Sequence, residues 1–273
     1  MANHQDRTVT IVLTDDSVDG DNIRLDDFLE QMRTLKCALR ETERLVSSRE
    51  PSLYFRITRL EKNSPPVVTL EAVSDAIDQR SEPQYASYVV RSLTANLRVI
   101  AKKKRLPKGI DYQALAAYRE LTAPAEKRHL QVQIKTGNNI VLINSKFRET
   151  IDLIAGEDEF SFGSVSGKIE AINLHNTNRK FQIFPTVGAS RIMGTFRTKD
   201  RKLFAGAVDQ YVTVYGRLRY KKWDAFPYAI AAHSIDVHDL SDALGLNDLN
   251  GIAPNATGGL SSTEFIDRVR DDW

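Results

Sequence analysis

Apolar and polar residues alternate over residues 8–13 (TVTIVL), apolar positions recur at helical spacing from Leu25 to Val46, and alternation returns in SLYFRITRL and VVTLEAVS. A period of two marks strands and a period near 3.6 marks a helix, so this stretch predicts a strand, a long helix and a β-hairpin turned at EKNSPP. The helix carries the strongest helical signal in the chain. Leu25, Phe28, Leu29, Met32, Leu35, Leu39 and Leu45 or Val46 fall on one stripe, and Asp26, Asp27 and Glu30 near its start complement the helix dipole. A second helix is predicted from about Pro83 to Lys104. The order β-α-β-β-α predicts a small sheet with both helices on one face. AKKKRLPKG, at the end of the second helix, has two readings: a nucleic-acid patch, or lysines offsetting the dipole before Pro107 and Gly109 stop the helix.

The next stretch reads as helix, hairpin, helix. DYQALAAYREL is helical, HLQVQIKTGNNIVLIN is a hairpin with Gly137 and Asn138 at its turn, and KFRETIDLIAG is a short helix. We assign it to an N-terminal domain covering residues 1–156.

Five strand patterns follow, in FSFGSVSGKIEAINL, RKFQIFP, RIMGTFR, YVTVYGRLRY and FPYAIAAHSIDV, with a helical stretch at KDRKLFAGAV between the third and fourth. That is the element order of an OB-like β-barrel, placed at residues 157–240. Gly163 and Gly167 suit a bend in a long first strand, and Gly216 suits a barrel corner. In the fourth strand Val212, Val214, Leu218 and Tyr220 share one face, opposite Tyr211, Thr213, Tyr215, Arg217 and Arg219. Ile230 and Ile235 fall out of phase, which predicts a bulge or bend in the fifth strand.

Residues 241–273 read as a flexible arm ending in one amphipathic helix. Ser261 can cap it with Glu264 completing a capping box, and Leu260 with Phe265 fits a hydrophobic staple. Phe265, Val269 and Trp273 recur at i, i+4, i+8, while Arg268 and Arg270 project elsewhere. Such a helix either folds back on its own domain or docks on a partner. The whole is therefore expected to be α+β: an N-terminal β-α-β-β-α sheet-and-helix domain, an OB-like barrel and a C-terminal amphipathic helix.

Charge sharpens this division. Net charge is only +2, yet residues 159–240 carry twelve basic and seven acidic side chains, and residues 241–273 carry two basic and six acidic ones. A basic module thus precedes an acidic arm. OB folds hold single-stranded nucleic acid by cations along the phosphates and aromatic rings under the bases. Lys180, Gln182, Phe184, Arg191, Arg197, Tyr215, Arg217, Arg219, Lys221, Lys222 and Trp223 are the candidates for such a surface. The alternatives are a solvated outer face with ordinary charges or an interface with the N-terminal domain.

Catalytic signals are sparse. The five histidines are scattered without ligand spacing, and no phosphate-cradling glycine loop or Gly-x-Ser-x-Gly elbow occurs. DDSVDGDNIRLD places Asp15, Ser17, Asp19, Gly20 and Asp26 at calcium-loop positions but lacks the terminal glutamate, and reads as a polar turn. No metal, cofactor or catalytic residue is assigned. The single Cys37 lies in a helical apolar pattern and excludes an internal disulfide, and no signal or membrane-spanning segment is read, so a cytoplasmic setting is expected.

Two resemblances add to this. GSVSGKIEAINLHNTNRKFQIFPTVGASRIMGTFR through VTVYGRLRYKK resembles an OB-type module of bacterial proteins, over about 80 residues. LSSTEFIDRVRDDW resembles the C-terminal peptides of antitoxins that neutralise PIN-domain ribonucleases, in which an amphipathic helix lies in the toxin's groove. That resemblance implies Phe265, Val269 and Trp273 as groove anchors, with Arg268 or Arg270 meeting the acidic metal site. Such antitoxins are generally short and open with a DNA-binding domain, which this chain does not. The expected role is antitoxin-like neutralisation of a nuclease partner; the alternative is a nucleic-acid-binding OB protein regulated by its own acidic tail.

Overall fold

The computed structural model describes residues 7–15, 23–47, 52–61, 65–74, 82–123, 130–175, 179–189, 191–238 and 257–271. The chain is α+β and divides into two compact units, one of Met1–Ser161 with Leu218–Ala229, the other of Phe162–Arg217 with Ile230–Trp273.

In the first unit, β1 (Thr8–Asp15), β2 (Leu53–Glu61), β3 (Val67–Ser74), β4 (Leu130–Thr136) and β5 (Asn139–Ile143) form one sheet in the order β2-β3-β1-β4-β5. β1 runs antiparallel to both β3 and β4. The helix α1 (Leu25–Val46) joins β1 to β2, and α2 (Glu82–Lys103) with α3 (Tyr112–Glu120) joins β3 to β4. Two split β-α-β units therefore interleave, the ferredoxin-like arrangement, with β5 added at one edge. The middle hairpin belongs to this sheet. Thr136 pairs with Asn139 across Gly137, whose φ of 53° is the left-handed value a two-residue turn requires. A further helix, α4 (Ser145–Ala155), starts on an Asn144 side chain accepting from the Phe147 N–H (3.1 Å) and stops at Gly156, φ 63°.

Alternation decides which face is covered. Val9, Ile11, Leu13, Val68, Leu70, Ala72, Val132 and Ile134 are buried with Leu35, Leu39, Val89, Leu93, Leu97 and Leu115 of the helices. Thr8, Thr10, Thr69, Gln131, Gln133 and Lys135 occupy the other face, with Thr10 and Thr69 sharing a hydrogen bond of 3.1 Å. α2 ends with Lys102 and Lys103 in its last turn and Lys104 at φ 47°, so AKKKRLPKG closes a helix.

The α1 stripe differs from expectation. Leu25 and Leu29 are exposed, and the buried line runs through Asp27, Gln31, Thr34, Leu35, Ala38, Leu39, Thr42 and Glu43. Two of these polar positions, Thr42 and Glu43, have hydrogen-bond partners across the core. Thr42 shares a 2.8 Å hydrogen bond with the Tyr118 hydroxyl, which also accepts from Asn96 (3.1 Å). Glu43 Oε1 accepts from the Ser52 and Leu53 N–H groups and the Tyr85 hydroxyl. Cys37, expected among apolar neighbours, is exposed.

The second sheet consists of β6 (Asp158–Asn173), β7 (Arg179–Pro185), β8 (Ile192–Phe196), β9 (Tyr211–Lys221) and β10 (Ala229–His238), and it closes on itself in the order β10-β8-β7-β6-β9. The short helix α5 (Arg201–Gly206) lies between β8 and β9 and sends Phe204 into the interior, where it stacks on Phe196 at 4.4 Å and meets Phe181 at 4.9 Å. Closure needs glycine at two strand contacts. A Cβ on Gly216 would collide with the Ala231 carbonyl, and one on Gly167 with the Phe184 carbonyl. Ile230 and Ile235 are both buried although five residues apart, so alternation breaks between them. A final helix, α6 (Ser262–Asp271), follows in the same unit. Among the described residues no helix is long and apolar enough to cross a membrane.

Candidate docking helix and outer sheet face

α6 is held at its start by the residues that the sequence nominates. The Ser261 N–H and hydroxyl both donate to Glu264 Oε2 (2.9 and 2.7 Å), and the Glu264 N–H donates back to Ser261 Oγ (3.3 Å). The Ser261 hydroxyl and backbone bonds hold the Glu264 carboxyl below its ordinary value. Gly258 and Gly259, at φ 60° and 89°, form the turn that leads into the cap.

Every side chain from Thr263 to Arg270 is exposed. Phe265, Ile266 and Val269 retain 37, 51 and 43% of their accessible surface, which leaves an apolar stripe uncovered on a helix with both ion signs around it. Arg268 and Arg270 lie in the last turn. Ile266 was missed by the i, i+4, i+8 pattern; as a neighbour of Phe265 three residues before Val269 it widens the same stripe. Trp273, the expected third anchor, lies outside the described residues.

The expected nucleic-acid residues divide between the units. In the second unit β6 lies between β7 and β9. Lys180 is exposed and Gln182 and Phe184 are half-buried on β7, their backbone partners on β6 being Asn173, Ala171 and Lys168. On β9, Tyr215 and Arg217 are exposed beside Thr213, whose hydroxyl shares 2.7 Å hydrogen bonds with Ser166 and with His238 Nε2. The face thus combines Lys180, Phe184, Tyr215 and Arg217 with Lys168, which the sequence reading omitted and which pairs with Asp209 at 2.7 Å. Arg191 is half-buried just before β8. Arg197 is committed within the sheet: it donates to the His233 carbonyl (2.8 Å) and pairs with Asp200 (3.1 Å).

Arg219, Lys221, Lys222 and Trp223 belong to the first unit. Lys221 is buried, with Nζ 2.7 Å from Asp158 Oδ1 and 2.9 Å from the Gly156 carbonyl, over the rings of Tyr112 and Tyr228. Trp223 donates its indole N–H to the Ala155 carbonyl (3.2 Å) and packs against the first unit's core. Arg219 sits 3.8 Å from Asp158 and over Phe160. Lys221 is a correction to the expected surface, because a cation buried against the end of α4 has no face for a phosphate, whereas Trp223 is half-buried. Lys222 is exposed. The sequence could not separate these residues from Arg217, since strand alternation continues unbroken through the point where the chain changes units.

Burial raises the Asp158 carboxyl, but hydrogen bonds from Lys221 and Tyr228 and the charges of Lys221 and Arg219 outweigh it and hold Asp158 below its ordinary value. The Tyr228 hydroxyl is pushed up, first by burial and then by its bond to Asp158. Among the described residues no group of His, Cys, Asp and Glu could hold a metal ion. The calcium-like loop falls largely on residues 16–22, outside the described residues. Compared with protein-family models and with curated proteins, the chain matches none.

Proposed function

We propose that this chain is a non-catalytic binding protein that acts by laying α6 in a groove of a partner protein. The observation carrying this reading is the combination in α6 of a completed capping box with an uncovered stripe of Phe265, Ile266 and Val269. Capping stabilises a terminal helix by about 1 kcal/mol, which favours helix without supplying the burial that a short helix needs. A partner groove supplies that burial. The resemblance to antitoxin tails nominates a PIN-type ribonuclease as partner, with Phe265, Val269 and Trp273 as anchors and Arg268 or Arg270 at its acidic site.

The test is inhibition. The purified chain is titrated against a purified PIN-type ribonuclease from the same source, with Phe265→Asp and Val269→Asp as variants. Inhibition that the two changes abolish supports the reading; inhibition that survives both, or a nuclease indifferent to the chain, overturns it.

A second reading rests on the strand order. A closed sheet whose first strand lies between its second and fourth, with a helix between its third and fourth, supports an OB-type module. Its outer face of Lys180, Phe184, Tyr215, Arg217 and Lys168 suits single-stranded nucleic acid. Binding of a fluorescent oligonucleotide across a salt series tests it: salt-insensitive or absent binding removes it.

A further inference from the structure

The first unit carries an uncovered apolar flank where α1 passes the edge strand β2. Leu25 and Leu29 of α1 and Ile57 and Leu60 of β2 are exposed to between 54 and 70% of their full surface. Helical spacing puts Leu25 and Leu29 on the same line as Met32, Lys36 and Leu39. That line borders a groove of about 310 Å³, floored by Met32, Leu39, Leu53, Phe55 and Leu70. Ile57 and Leu60 pair with Leu70 and Val68 of β3, so they point to the helix-covered side of the sheet, yet both remain exposed.

We infer that this flank is a homodimer interface, occupied by the same flank of a second copy of this chain. The argument is charge complementarity along α1. Beyond the exposed Arg24 at its N-cap, its outer side is acidic at Asp26 and the half-buried Glu30 and turns basic at the exposed Arg33, Lys36 and Arg40. A two-fold axis perpendicular to the sheet sets α1 antiparallel to its copy, so that the acidic start of each helix faces the basic middle of the other. Leu29 of each copy then lies near the axis, over the groove of the other. On β2 the same operation brings Ile57 and Leu60 of one chain toward Leu60 and Ile57 of its copy. A second copy sets opposite signs against each other along α1, which an uncharged apolar partner does not. Such an arrangement also covers β2, one of the two edge strands of this sheet.

The inference is independent of α6, and its test uses the full chain. Sedimentation equilibrium is expected to show a reversible dimer that Leu29→Asp with Ile57→Asp converts to monomer while the native circular dichroism is kept. Charge reversal gives the second arm. Asp26→Lys with Glu30→Lys leaves this side of α1 with basic residues at all four facing positions, and Lys36→Glu with Arg40→Glu leaves it with acidic ones; each variant alone is expected to be monomeric, and their equimolar mixture to dimerise. A monomeric native chain overturns the inference. So does a dimer that survives the apolar changes, or a mixture that fails to associate while both variants keep their native circular dichroism. Loss of nuclease inhibition with the dimer intact would strike only the α6 reading.

Discussion

Lys221 Nζ lies 2.7 Å from Asp158 Oδ1, which joins the last residue of β9 to the first residue of β6. The pair sits in the first unit, although most of both strands belongs to the second. Around it Tyr112 and Tyr228 pack at 4.0 Å, the Tyr112 N–H donates to Asp224 (3.3 Å), and Trp223 bonds to the end of α4. The turn between β9 and β10 is thus tied to α3 and α4 by one buried cation, two tyrosines and a tryptophan.

Removing the cation leaves Asp158 without its nearest counter-charge. Lys221→Met is expected to destabilise the chain by roughly 2 kcal/mol, less than a fully buried broken pair because the Asp158 carboxylate remains partly solvated. Urea unfolding checks this. A midpoint unchanged from the parent would mean that the pair contributes nothing.

The same pair predicts an acid limb. Asp158 has a folded value held below the unfolded one, so its contribution is fully present above the ordinary carboxylate range and is lost as pH falls through the depressed folded value. Unfolding midpoints measured at descending pH should drop more steeply for the native chain than for Lys221→Met, in which the depression is largely removed. Parallel curves would contradict the assignment.

Gly194 and Gly206 should respond oppositely to alanine. A Cβ on Gly194 would run into the Phe181 ring, which packs against Phe204 and Phe196, so Gly194→Ala is expected to cost about 1–3 kcal/mol. Gly206 ends α5 with open space where its Cβ would be and without a positive φ, so alanine there should be neutral or stabilising by up to about 1 kcal/mol. Thermal melts of the two variants decide it.

Much of this fold was legible because strand and helix periods differ. The β2–β3 and β4–β5 hairpins, the cap of α6 and the out-of-phase Ile230 and Ile235 all register in local spacing or local chemistry. What was not legible depends on packing partners distant in sequence. The burial of Thr42 and Glu43 in place of Leu25 and Leu29 is decided by Tyr118, Asn96 and Tyr85. Likewise Lys221 and Arg217 occupy equivalent positions in an alternating strand, and only Asp158, Gly156 and Tyr112 distinguish them. For the candidate site, the capping box was readable and Ile266 was readable but overlooked, whereas no pattern along β9 marks where one unit gives way to the other.

Truncation before Thr257 separates the readings of α6. None of the side chains from Thr263 to Arg270 is buried, so the shortened chain should unfold at the same urea concentration as the full one. If α6 docks on a partner, truncation abolishes that binding, and Phe265→Ala alone should weaken it by about 2 kcal/mol, the cost of losing a buried aromatic anchor. If the acidic tail instead shields the outer face of the closed sheet, truncation should tighten oligonucleotide binding at low salt and leave it unchanged at high salt, where screening already removes the competitor. A large fall in the unfolding midpoint would overturn both, because it would mean that α6 stabilises the fold itself.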